Sequence, residues 1–178
     1  MYIWTGIDVD SQLAQAREAA RRIENEIGFA HSNFTLPLHI SLKMSFPAAD
    51  EKAGDIMDCL ARFYQSQSPM EVAVRGIEKE ETIIWIMLER SAALNALHDR
   101  LLSLLGEKYG VLPHEYDLDY KFHTTLFMDG DRKKIHRAYA LIQNVPVPER
   151  LRLDRFAVGA SATGALGTYR VLRTIERE

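Results

Sequence analysis

Two short runs constrain this chain more than anything else in it: Leu38-His39-Ile40-Ser41-Leu42-Lys43-Met44 and Phe122-His123-Thr124-Thr125-Leu126-Phe127-Met128. Each reads His-x-(Ser/Thr)-Leu within the alternating pattern of a β-strand, and the two lie 84 residues apart, about half the chain. A strand turns successive side chains to opposite faces. His39, Ser41 and Lys43 are therefore expected on one face, as are Lys121, His123, Thr125 and Phe127, with mainly apolar residues behind them. Each copy sets one imidazole beside one hydroxyl. A fold that accepts both copies must supply two equivalent strand positions.

The elements around the motifs repeat in order. Tyr2–Asp8 reads as a strand. Asp10 or Ser11 is expected to cap a helix whose apolar residues Leu13, Ala16, Ala20, Ile23 and Ile27 recur every three or four positions, with Gly28 as its stop. A loop holding Asn33 and Pro37 leads to the first motif, and Pro47 ends that strand. Asp50 is expected to cap a second helix that turns Ile56, Met57, Leu60 and Phe63 inward. Strands over 70–77 and 82–88 flank the charged turn Glu78-Lys79-Glu80-Glu81. Then Ser91 caps a helix with Leu94, Leu97, Leu101 and Leu104 inward, and a loop containing Pro113 leads to the second motif. Asp131 caps a helix with Ile135, Ala138 and Ile142, and strands over 151–158 and 168–175 close the chain. This order predicts an α+β, pseudo-duplicated bilobal fold, with two antiparallel sheets facing a central cleft and helices outside. Residues 1–178 are expected to form a single domain of two interleaved lobes.

Composition narrows the function classes. The one cysteine, Cys59, leaves no disulfide framework and no multi-cysteine metal site, and suggests a reducing compartment. No run approaches the ~20 apolar residues that cross a bilayer, and the N-terminus lacks a signal-peptide pattern. A cytoplasmic monomer is expected. The net charge of −3 conceals an asymmetry: residues 1–119 carry 11 Lys/Arg against 19 Asp/Glu, and residues 120–178 carry 11 against 6. The basic final third can attract a phosphate-bearing ligand. A solvated helix face with strand-edge arginines accounts for it equally well.

If the two lobes face one another, the His/hydroxyl pairs converge. Two opposed imidazoles suit displacement at phosphorus: one takes a proton from the attacking oxygen while the other gives one to the leaving oxygen. The Ser41 and Thr125 hydroxyls can hold non-bridging phosphate oxygens. Lys43 and Lys121 can add point charges for phosphate if they share the cleft. This chemistry calls for no metal and no cofactor.

The two runs resemble the paired His-x-(Thr/Ser)-x motifs of the 2H phosphoesterase superfamily, which includes bacterial 2′-5′ RNA ligases and RNA 2′,3′-cyclic phosphodiesterases. The resemblance extends from the opening strand through both motifs to a closing Tyr169-Arg-Val-Leu172 strand. It implies metal-independent opening of a cyclic phosphodiester, at an RNA 3′ terminus or on a small cyclic nucleotide, commonly leaving a 2′-phosphate. His39 and His123 carry over as the acid/base pair, with Ser41 and Thr125 as the phosphate clamp. The first motif has Ser where many members have Thr, which keeps the hydroxyl and loses the methyl that restricts its rotamer. Which histidine is acid and which is base stays open. So do the reverse 2′-5′ ligase direction, a non-RNA cyclic phosphate such as one from ADP-ribose metabolism, and nucleotide binding without turnover.

Other residues have plainer readings. Trp4, Phe34, Trp85, Tyr120 and Phe127 can stack a base, but core packing explains most of them. His31 reads as a surface residue that can edge the cleft, and His98 and His136 have no ligand-spaced partner. The group His114, Glu115, Asp117 and Asp119 is a weak metal pattern without ligand spacing. Arg132-Lys133-Lys134 opens a solvated helix or guides an RNA backbone.

Overall fold

The computed structural model describes residues 1–29 and 34–177. His31 and Asn33 lie outside the described residues. The strands are β1 (Tyr2–Asp8), β2 (His39–Pro47), β3 (Met70–Lys79), β4 (Ile83–Leu88), β5 (His123–Met128), β6 (Arg150–Leu153), β7 (Arg155–Ser161) and β8 (Arg170–Glu176). The helices are α1 (Ala14–Ile27), entered through a 3-10 turn at Asp10–Leu13, α2 (Asp50–Gln65), α3 (Ala92–Tyr109), α4 (Glu115–Leu118) and α5 (Arg132–Ile142).

The architecture is α+β and every strand pair is antiparallel, as the order of elements predicted. In place of two separate sheets, however, the strands form one hydrogen-bonded series, β6-β3-β4-β5-β2-β1-β7-β8. Its two halves each end on a histidine strand, and they meet where β2 pairs with β5 at the single register Ile40↔Thr124. Both histidine strands have an open backbone edge toward the other, and pairing those edges satisfies hydrogen-bonding groups that two isolated sheets would leave bare.

Helices and loops follow their local chemistry. Ser91 Oγ accepts from Leu94 N at the start of α3, and Asp131 caps α5 through Lys133 N. Gly28 and Gly110 end α1 and α3 in the left-handed conformation, with φ of 73° and 67°. α2 departs from expectation: its N-cap is Ala49, and Asp50 instead binds the N-terminal ammonium at 2.8 Å. The α3 stripe ends on Leu105 rather than Leu104, since 3.6 residues per turn carries the stripe round the helix. The run expected over 151–158 is two strands, not one. It breaks at Asp154, where the chain leaves β3 in one half-sheet and joins β1 in the other.

One continuous core lies between the sheet and its helices. Ile3, Ile7, Ile40, Leu42, Phe122 and Leu126 face Leu13, Ile56, Leu60, Leu97, Leu101 and Ile135, all nearly without solvent contact. Burying an aliphatic side chain of this size contributes about 1.5–3 kcal/mol. The other face of the sheet carries the motif polar groups.

Candidate active site

The Ile40↔Thr124 register builds the site. Both residues are fully buried on the helix side of the sheet. Alternation then turns their flanking residues to the opposite face, so His39, Ser41, His123 and Thr125 lie together on the two central strands. Antiparallel pairing runs one motif past the other head to tail. The sequence-predicted convergence of the two His/hydroxyl pairs is present.

The two motifs share a second feature. Ser41 pairs with Gly6 and Lys43 with Thr5, so Leu42 is an extra residue on β2. Likewise Thr125 pairs with Trp85 and Phe127 with Ile84, so Leu126 is an extra residue on β5. Each His-x-(Ser/Thr)-Leu thus ends in a β-bulge at its leucine. A bulge breaks the two-residue period and re-aims everything after it. Strict alternation placed Lys43 and Phe127 beside the histidines; the bulges turn both to the helix side instead. Phe127 is fully buried, its ring 5.1 Å from that of Phe29.

Lys43 is 2% exposed and donates to Asp117 Oδ2 at 2.6 Å. Asp117 also accepts from Met44 N at 3.0 Å and from His114 N at 2.7 Å. The acidic loop proposed as a weak metal pattern therefore serves otherwise: Asp117 anchors β2, and His114 caps α4 by accepting from Tyr116 N. Among the described residues, no group of three His, Cys, Asp or Glu side chains is placed to hold a metal ion. Lys121 sits on the rim, half exposed, 2.8 Å from Glu80 and above the Trp85 ring.

Both imidazoles are held the same way. His39 Nδ1 lies 2.7 Å from Pro37 O, and His123 Nδ1 lies 2.6 Å from Lys121 O. A carbonyl oxygen only accepts, so each Nδ1 carries the proton and donates. Each neutral ring therefore keeps its lone pair on Nε2, the atom left for chemistry. Each ring also meets a tryptophan: Trp4 edge-on to His39 at 4.4 Å between centroids, and Trp85 tilted against His123 at 4.7 Å. These contacts remove water from around the rings. Loss of solvent holds His39 down to about 4, with the His123 charge pushing the same way and the Pro37 carbonyl, Asp8 and Asp10 opposing. Loss of solvent also lowers His123, opposed by the Lys121 carbonyl and Glu80.

The Ser41 hydroxyl is positioned by a neighbour the sequence did not single out for this role. Trp4 Nε1 donates to Ser41 Oγ at 3.3 Å, which leaves the Ser41 proton free to donate elsewhere. Trp4 lies across two glycines: a Cβ on Gly6 would come 2.5 Å from Ile40 O and 3.1 Å from the indole, and one on Gly159 would come 2.4 Å from Arg170 O. Tyr120 donates to Ser41 O, and its ring lies roughly parallel to that of His123 at 6.4 Å. Only a side-chain-free strand position admits a flat indole this close to the backbone, so small residues opposite an aromatic were the available signal. Trp85 Nε1 is buried without a hydrogen-bond partner among the described residues.

A fold with two half-sheets, each carrying His-x-(Ser/Thr) on its innermost strand, defines the 2H phosphoesterase class. The chain belongs to the 2′-5′ RNA ligase superfamily, whose sequence profile matches residues 9–165. Solved structures with the same fold include TT0787 of Thermus thermophilus (16% identity, TM-score 0.56, covering 99% of this chain and 97% of that one). LigT from E. coli, crystallised with 3′-AMP, is 16% identical with a TM-score of 0.55, covering 98% and 96%. Usb1 from Kluyveromyces marxianus is 13% identical with a TM-score of 0.50, covering 99% and 98%. Among curated protein sequences, none matches the chain. No helix among the described residues is long and apolar enough to cross a membrane.

Proposed function

We propose that this protein opens a 2′,3′-cyclic phosphodiester, at an RNA 3′ end or on a nucleotide, by paired acid/base catalysis at His39 and His123. The observation that carries the reading is the matched presentation of two Nε2 atoms on one sheet face, each fixed by an Nδ1 bond to the carbonyl two residues earlier. The neutral ring accepts a proton from the attacking water at Nε2. The protonated ring gives its Nε2 proton to the leaving ribose oxygen. Water adds to phosphorus as the bond to that oxygen breaks, leaving a phosphomonoester and a free hydroxyl. Ser41 and Thr125 donate to the non-bridging oxygens, where charge accumulates. Ser41 can do so because Trp4 occupies its acceptor side. No step is routed through a metal.

LigT has been crystallised with phosphate as well as 3′-AMP, which supports a phosphate-sized centre in this fold. The superfamily's name points to a second reading, the reverse reaction, in which an RNA hydroxyl replaces water and a 2′-5′ link forms. The same two imidazoles serve it with their roles exchanged. Product analysis separates the two. An RNA ending in 2′,3′-cyclic phosphate, incubated with EDTA, is expected to become a 2′-phosphate terminus. Joined strands and no monoester would favour the ligase direction, and unchanged substrate would remove both.

A further inference from the structure

Resting on the phosphodiester chemistry proposed above, we infer that the substrate is a small cyclic phosphodiester of mononucleotide size carrying one negative charge, and that this face does not bind a polynucleotide backbone. The argument is the distribution of charge around the four motif side chains. On one side Asp8 pairs across the ladder with His39 and holds Arg155 at 3.2 Å. On the other, Glu78 stands opposite Trp85 in the row that ends on Thr125, and binds Arg75 at 3.1 Å. At the rim Glu80 binds Lys121. Arg155, Arg75 and Lys121 are thus each paired with a carboxylate on or beside the same face, and Lys43 is buried with Asp117.

Much of the basic final third is paired in the same way. Arg132 pairs with Glu81, Arg137 with Glu26, Arg150 with Glu71 and Arg173 with Asp58. Seven of the eleven Lys/Arg in residues 120–178 thus meet a carboxylate, while Lys133, Lys134, Arg170 and Arg177 have none among the described residues. Polynucleotide binding draws its affinity from cations that displace counterions at successive phosphates. Laid on this rim, each further phosphate would have to displace a carboxylate from its partner. A single phosphate held by two imidazoles and two hydroxyls needs none of these cations.

The test compares a nucleoside 2′,3′-cyclic phosphate with the same group ending an RNA of about ten nucleotides. Expected are kcat/KM values within about threefold at low salt, and a slope against log salt no steeper than about −0.7 for either, the value for one single-strand phosphate contact. A tenfold or greater preference for the longer RNA with a slope of about −2 or steeper would overturn the inference. The double variant Glu78→Gln/Glu80→Gln, which frees Arg75 and Lys121, is expected to steepen the slope for the long RNA alone; an unchanged slope would overturn the charge argument. Calorimetric binding of adenosine 3′-monophosphate and of an RNA with a 3′-phosphate, read against salt in the wild type, keeps the two proposals apart. Absent turnover with equal, shallow binding removes the phosphodiesterase reading and the substrate with it, and upholds only the charge argument that this face takes no polynucleotide backbone. Turnover with steep RNA binding removes only this one.

Discussion

The buried Lys43–Asp117 pair gives the sharpest prediction about how the site is held. Neither side chain has appreciable solvent contact, at 2% and 0% exposure. Asp117→Asn keeps the volume and one acceptor oxygen, sets an NH2 against either Met44 N or His114 N, and leaves the Lys43 charge in the interior without a counter-charge. Breaking a buried pair on one side costs about 3–5 kcal/mol, which for a chain of this length lowers Tm by about 6–20 °C. Lys43→Met removes the charge and keeps an unbranched apolar stem, so Lys43→Met/Asp117→Asn should recover part of that loss, with a coupling of about 1–3 kcal/mol. Urea unfolding of the four proteins, checked for an unchanged m-value, measures all three costs. If Asp117→Asn costs less than about 1 kcal/mol, or the double variant is no better than additive, the pair does not anchor β2 as argued.

Further outcomes follow from the same geometry. Trp4→Phe keeps the ring against His39 and deletes its donation to Ser41, so steady-state kinetics should show kcat falling about 2- to 10-fold, the value of one hydrogen bond. With Ser41→Ala already in place, Trp4→Phe should add little further loss. Gly6→Ala sets a Cβ 2.5 Å from Ile40 O, so thermal unfolding should show a loss of about 1–3 kcal/mol. Both imidazoles lie below the ordinary 6.5, with His39 near 4, and the competent form needs one neutral and one protonated ring. Rising pH removes the acid, so kcat/KM should peak between about 4 and 6.5 and fall tenfold per unit above that; a profile flat from 6.5 upward contradicts it. For stability the sign is opposite at the acid side. The unfolded chain takes up protons first as pH falls through 6.5, so urea stability should decline from there toward 4, where His39 protonates in the folded state.

The central strands, the antiparallel α+β class and the His/hydroxyl pair within each motif were legible because each depends on local pattern, whereas the direct pairing of β2 with β5 was not. A period of two places His39 with Ser41 and His123 with Thr125 whatever the neighbours do. What failed was everything that alternation cannot carry across an irregularity. Nothing local in Ser41-Leu42-Lys43 or Thr125-Leu126-Phe127 announces a bulge; it shows only in the register with the partner strand. Lys43 and Phe127 were therefore assigned to the wrong face. The division of 150–161 between two half-sheets was marked only by the adjacent polar pair Asp154-Arg155, which shifts the alternation by one residue, and the choice of partner strand is a long-range matter. The charge asymmetry was visible as numbers, but its meaning required knowing that basic residues late in the chain meet acidic ones from early in it.

The central claim is that two fixed imidazoles act together on one phosphate. Its most direct test is turnover of a nucleoside 2′,3′-cyclic phosphate, with EDTA present, by the wild type, His39→Ala, His123→Ala and the double variant. Positioned acid/base groups contribute about 10²- to 10⁴-fold each. Groups that act as a unit are far from additive, so either single variant should lose about that factor and the double should be little slower than either. A folded single variant that keeps more than about a tenth of wild-type activity would contradict the paired mechanism.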